Sequence, residues 1–164
     1  MAETNCQKKG PIKISDCLQY YNMPKFQKLF CYNCKLYTAM QSISKIYSSP
    51  NIFIFSLDRN NLAPYLTNIP FIVEEKISLN NFIEKIDTPK IYQLTGIISY
   101  YIKLSKYICF CVSPGDKQWY IYMDNIIQQS QIKEVLSYHN DINGLFIPCL
   151  LVYELKEHDQ KILF

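Results

Sequence analysis

Apolar runs separated by turn residues organise the second half of this chain. Ile91 to Ile102, Tyr107 to Val112 and Trp119 to Met123 are rich in β-branched and aromatic residues, which suit a pleated, half-buried surface. Pro114-Gly115-Asp116 between the last two runs predicts a hairpin turn. Ser130 stands where it would cap a short helix carrying Ile132, Val135 and Leu136. Leu145 to Leu155 then returns as a long final strand. In the first half, Ser15 would cap a helix with Asp16 in its first turn, where the helix dipole favours a carboxylate. That helix would carry Cys17, Leu18 and Tyr21 on one face and end near Pro24. Phe26 to Ile46 reads as two extended segments around a turn at Cys31 to Cys34. Ile52 to Leu57 is apolar at nearly every position, which predicts a strand buried on both faces. Leu79, Phe82, Ile83 and Ile86 have helical spacing after Ser78 and favour a short helix.

Strands joined by hairpins and one long return predict an α+β fold, a mainly antiparallel sheet with a few short helices. Residues 1–13 read as a polar arm, 14–156 as the domain and 157–164 as a tail. With 164 residues the chain suffices for one core and is too short for two comfortable domains. Shares of 49% apolar and 19% charged residues exclude a disordered chain. No apolar stretch approaches the roughly 18–20 residues of a membrane span. The polar start, Met1 to Asn5, lacks the apolar core of a secretory signal. An intracellular setting follows as the expectation, in cytoplasm, cytoskeleton or nucleus. The net charge of +3 is spread thinly, and Arg59 is the only Arg among 17 basic residues. Specific phosphate or guanine recognition leans on Arg forks, so nucleic acid is a disfavoured partner.

Seven cysteines in a chain without a secretory signal argue against a disulfide framework. Cys17, Cys109, Cys111 and Cys149 sit in apolar surroundings and read as small core hydrophobes. Cys31-Tyr32-Asn33-Cys34 is the C-x-x-C unit of zinc ribbons, but a closed zinc site needs four ligands. Cys6 could add one thiolate and the only histidines are His139 and His158. Cys31 and Cys34 are therefore half of a metal site, or a hairpin turn that has kept its cysteines. No other cofactor is expected.

The order of these motifs resembles the C-terminal part of the ubiquitin-specific protease catalytic domain, from about Ile14 to Glu154. Ser15-Asp16-Cys17-Leu18 looks like the segment before that family's zinc fingers, and Phe30 to Lys35 like the second knuckle. Pro50 to Arg59 is similar to a strand ending in Arg. Tyr92 to Ile98 resembles the strand leading to the catalytic His loop, Trp119 to Asp124 the strand carrying the orienting Asp or Asn, and Pro148 to Glu154 the closing strand. The resemblance implies the family's palm and part of its fingers, in the papain-like cysteine protease superfamily, without the thumb. The family pattern over 78–86 is extended, which conflicts with the helix that spacing favours there.

The departures carry the functional expectation. The family's general-base His, in Gly-His-Tyr, corresponds here to Lys106 in Ser105-Lys106-Tyr107. A Lys near its normal pKa is protonated at neutral pH and cannot accept a thiol proton. The orienting Asp or Asn corresponds to Met123, which has no useful acceptor. A preceding-loop His is Tyr100, glycines that flank the base are Ser105 and Ile102, and no nucleophile box precedes Ser15. The resemblance thus implies a non-catalytic relative acting as a protein-interaction or structural subunit of a larger assembly. The alternative is a pseudoenzyme that still binds ubiquitin. An RNA-binding module is an outside reading, since Lys106 to Val112 distantly resembles the aromatic strand of an RNA-recognition motif. Without a thumb, apolar surface near Tyr100, Tyr101, Tyr107 and Trp119 should be exposed and should bind another protein chain.

Overall fold

The chain enters its fold at β1 (Ile12–Lys13), which runs straight into α1 (Ile14–Asn22). The computed structural model describes residues 11–57, 71–84, 90–140 and 145–156. Residues 1–10, Cys6, Arg59, His158 and the tail 157–164 lie outside the described residues. The cap of helix α1 lies two residues before the expected Ser15: it is Lys13, whose backbone N–H donates to the Asp16 carboxylate at 3.1 Å. This is half of a capping box. Ile14 and Leu18, four residues apart, form its buried face, whereas Cys17 and Tyr21 are exposed. The helix stops at Met23 because the residue before a proline disfavours helical backbone.

Next comes an antiparallel ribbon, β2 (Lys25–Cys31) and β3 (Leu36–Ser42), joined by the Cys31–Cys34 turn. Lys35 closes that turn with φ 53°, in the left-handed region. The ribbon pairs with no other described strand, and its side chains are almost all exposed.

After β4 (Ile52–Ser56), β5 (Phe71–Ile72) pairs in parallel with β1, so Ile12 and Lys13 of the expected arm are part of the fold. Then follow β6 (Lys76–Ser78), β7 (Ile91–Tyr101), a 3-10 turn (Ile102–Leu104), β8 (Lys106–Val112), β9 (Trp119–Met123), β10 (Ile126–Ser130), α2 (Ile132–Asn140) and β11 (Phe146–Lys156). The main sheet runs β10-β9-β8-β7-β11-β4 and every pair in it is antiparallel. Strand β6 joins the first residues of β7. Pro148 is tolerated inside β11 because the register slips there, and a bulge spares the missing N–H. The Pro114–Asp116 turn forms as expected: Asp116 accepts the Gln118 N–H at 3.1 Å and the Tyr120 hydroxyl at 2.6 Å. The fold is α+β, a mainly antiparallel sheet with two α-helices among the described residues. No helix among the described residues is long and apolar enough to cross a membrane.

Two expected elements differ. The described part of 78–86 is not a helix: after β6 the chain turns, with the Phe82 N–H on the Leu79 carbonyl at 2.9 Å. Leu79 and Ile83 are buried, so the spacing is satisfied by a turn that drops both into the core. Strand β4 is not buried on both faces either. It is the sheet's edge, with Phe53 and Phe55 half-buried and Ile54 62% exposed.

One face of the sheet is packed. Tyr92, Leu94, Ile97, Ile108, Phe110, Trp119, Leu151 and Tyr153 lie on it with Val135 of α2 and Leu79 and Ile83 of the turn. Buried hydroxyls are paired there, as burial requires: Tyr153 donates to the Glu74 carbonyl at 2.6 Å and Tyr92 to that of Pro50 at 2.9 Å. Asn140 ties the end of α2 to Val73, accepting its N–H at 2.8 Å and donating to its carbonyl at 3.3 Å.

Candidate functional site

Lys106 and Met123 lie at the same end of the sheet, where β8 begins and β9 ends. The chain reaches Lys106 through Ser105, whose φ of 52° lies in the left-handed region, and it leaves Met123 through Asp124 at φ 50°. Asp124 tolerates that conformation better than most residues. Its carboxylate pairs with the Lys106 ammonium in an exposed ion pair. Such a cation has no lone pair to take a proton, and Met123, the last residue of β9, offers only a weak thioether acceptor.

The second face of the sheet follows from strand alternation. Ile54 on β4 opposes Val152 on β11, Leu150 on β11 opposes Ile98 on β7, Tyr100 opposes Tyr107, and Tyr122 opposes both Cys109 and Ile127. These side chains are all half-buried or exposed, with Tyr107 at 67% and Ile127 at 64%. Ile52, Ile91 and Ile98 on the same face are exposed as well. Among the described residues of the sheet's strands, the charged ones on this face are Lys76 on β6 and Glu154 and Lys156 on β11, all toward one end of the sheet.

The four expected surface rings divide between the two faces. Tyr100 and Tyr107 meet edge to face at 5.4 Å on the open one. Tyr101 stacks on Phe146 at 4.5 Å on the packed one. Trp119 is only 7% exposed, a correction whose cause is register: Trp119 opposes Val112, which shares the core face with Phe110. Strand β8 likewise buries Ile108 and Phe110, so its alternation is that of core packing and not of a stacking platform for bases.

The cysteines also differ from expectation. Cys17 is exposed, and Cys109, Cys111 and Cys149 are half-buried instead of enclosed. Cys109 and Cys111 share the open face, and burial together with the Cys111 thiol pushes the Cys109 thiol up to about 11. Cys31 and Cys34 sit at the ribbon's tip, and among the described residues no group of three or more metal-ligating side chains forms. The described chain therefore brings two of the four donors of a closed zinc site together.

One pair went unread in the sequence. Ser99 on β7 and His139 on α2 are buried, with Ser99 Oγ 2.7 Å from His139 Nε2. The other ring nitrogen, Nδ1, lies 2.7 Å from the Val135 carbonyl. A carbonyl only accepts, so Nδ1 carries the proton and Nε2 accepts from Ser99. Burial holds this imidazole down at about 4, against its ordinary 6.5. A Ser–His contact invites a nucleophile–base reading, but neither side chain reaches solvent, and the pair fastens α2 to the sheet. Helical spacing carried the signal, since His139 continues the apolar stripe Ile132, Val135, Leu136.

The chain is similar in structure to a chain of the SAGA DUB module of Ubp8, Sgf11, Sus1 and Sgf73 bound to monoubiquitin, with a TM-score of 0.66 and 21% identity over 91% of this chain and 34% of that one. A yeast SAGA DUB module with an Sgf73 point mutant gives 0.67 and 21% over 89% and 33%. The module bound to ubiquitin aldehyde gives 0.64 and 20% over 91% and 34%. The chain thus spans about a third of the length of those chains. No curated protein sequence matches it. The ubiquitin carboxyl-terminal hydrolase family model matches residues 1–164. With that match over its whole length and the sheet it shares with the SAGA module, the chain belongs to the ubiquitin carboxyl-terminal hydrolase family.

Proposed function

We propose that this chain is a non-catalytic member of its family that acts as a protein-binding subunit of a larger assembly. The open apolar face of the sheet carries the proposal. An apolar face of this extent on a soluble domain marks a partner site, and its near lack of charge suits a protein surface of apolar chemistry. A nucleic acid would need a basic stripe, which this face does not have. Two features support the absence of catalysis: Lys106, which the sequence resemblance sets against the family's base, is paired with Asp124, and Met123, which it sets against the orienter, has no useful acceptor. The similar chains belong to modules of several subunits, in keeping with a role in an assembly.

The isolated chain is expected to bind a hydrophobic dye while folded and to self-associate as its concentration rises. The double variant Tyr107→Asp with Ile127→Asp should suppress both, with each exposed change shifting stability by no more than about 0.5 kcal/mol. A monomer that binds no dye overturns the proposal. Ubiquitin recognition without hydrolysis is the second reading, favoured by the ubiquitin-bound state of two similar modules. Titration with ubiquitin separates the two: saturable micromolar binding supports recognition, and none leaves the apolar partner alone.

A further inference from the structure

Strand β10 is an unguarded edge of the main sheet. It pairs with β9 over an unbroken register from Ile126 to Ser130, and no described strand lies beyond it. The Ser113 N–H donates to the Gln118 carbonyl at 2.8 Å, so Gln118 turns its backbone groups toward the β8 side. Alternation then turns those of Trp119, Ile121 and Met123 toward β10, where they face Ser130, Gln128 and Ile126. The N–H and C=O of Ile127 and Gln129 are left pointing outward. Natural edges are blunted by a Lys, a Pro, a bulge or an inward charge. The strand Ile-Ile-Gln-Gln-Ser has none of these, and Ile126 to Gln129 are all exposed.

We infer that β10 pairs antiparallel with β10 of a second copy of this chain, about a two-fold axis through Gln128. The outward groups set this register. Ile127 and Gln129 flank Gln128 symmetrically, so each Ile127 meets Gln129 of the second copy, and every outward N–H and C=O of both strands is satisfied. Side-chain charge agrees with a self-complementary edge. No residue from Ile126 to Ser130 is charged, so identical strands meet without a like-charge pair. An acidic or basic strand would find no counter-charge here. Opposed residues of a sheet point to the same side, so the two open apolar faces join into one across the axis. The pairing itself uses backbone groups, and it does not depend on what the open face binds.

Sedimentation of the full chain from low to high micromolar concentration, with Gln129→Pro beside it, tests this. The unaltered chain should pass from monomer to dimer. Gln129→Pro removes an outward N–H and spares the β9 ladder, so it should weaken the dimer at least about tenfold. Its dye binding through the open face should stay. Gln128→Cys sets two thiols directly opposite at a non-hydrogen-bonded pair, about 4.5 Å apart at Cα, which a disulfide can span. Mild oxidation should then give a covalent dimer whose linked peptide joins residue 128 to residue 128. That link stands on its own should the proline variant fail to fold. A chain that binds dye but stays monomeric overturns the inference and leaves the open face as a partner site. Dimerisation that Gln129→Pro leaves unchanged overturns it too, as does a thiol at 128 that never links to its own copy.

Discussion

Phe110→Ala should destabilise the fold by about 3–5 kcal/mol, read as a lowered urea midpoint. The Phe110 ring is wholly buried and joins three elements. From β8 it meets His139 of α2 edge to face at 4.8 Å and Phe146 of β11 at 5.6 Å, with Tyr138 at 6.4 Å. Truncation forfeits the transfer free energy and leaves a cavity where two strands and a helix meet, which a rigid sheet closes poorly. Domains of this size are stable by only about 5–15 kcal/mol, so the loss is a large share of the total. A midpoint no lower than that of an exposed substitution such as Tyr107→Asp would show that Phe110 is not central to the core.

Acid should weaken the fold through His139 before it reaches the carboxylates. The imidazole titrates at about 4 in the folded chain and at its ordinary 6.5 when unfolded. The unfolded chain therefore takes up the proton first as pH falls. The contribution of neutral His139 is fully present above about pH 6.5 and is lost as pH falls toward 4. It amounts to roughly 3 kcal/mol. The ring faces the Ser99 hydroxyl, the Val135 carbonyl and the Phe110 and Phe146 rings, none of which is charged. Glu134 is held below the usual carboxylate range by Ser130 and then Tyr138, and Asp116 by Tyr120 and then Gln118. Their contributions are lost at lower pH, beneath the ordinary carboxylate range, which separates the two windows. Urea unfolding should show a steep loss between about pH 6.5 and 4 that His139→Gln flattens. An unchanged slope in that variant would remove His139 as the cause.

Strands with strong composition and clear turns were legible in the sequence: β7, β8, β9 and β11, the Pro114–Asp116 turn and the ribbon around Cys31 and Cys34. What stayed hidden is set by tertiary contacts. The run Ile52 to Leu57 looks enclosed because local sequence says how apolar a strand is and not whether anything lies over it. Strand β10 escaped notice because Gln128 and Gln129 break its apolar run at the sheet's other edge. Trp119 could not be assigned to a face without the register of β8 and β9. The Ser99–His139 pair joins residues 40 apart in sequence and needed the packing of α2 on β7 to exist. At the candidate site, the identities of Lys106 and Met123 were legible, but the ion pair with Asp124 depends on how two left-handed residues bend the strand ends.

The measurement that bears most directly on the central claim is hydrolysis of a fluorogenic ubiquitin C-terminal amide by the purified chain. The account predicts release no faster than in buffer, across neutral and alkaline pH, and no covalent product with a ubiquitin carrying a thiol-reactive C-terminus. Release abolished by changing one cysteine, or labelling of that cysteine, would contradict it.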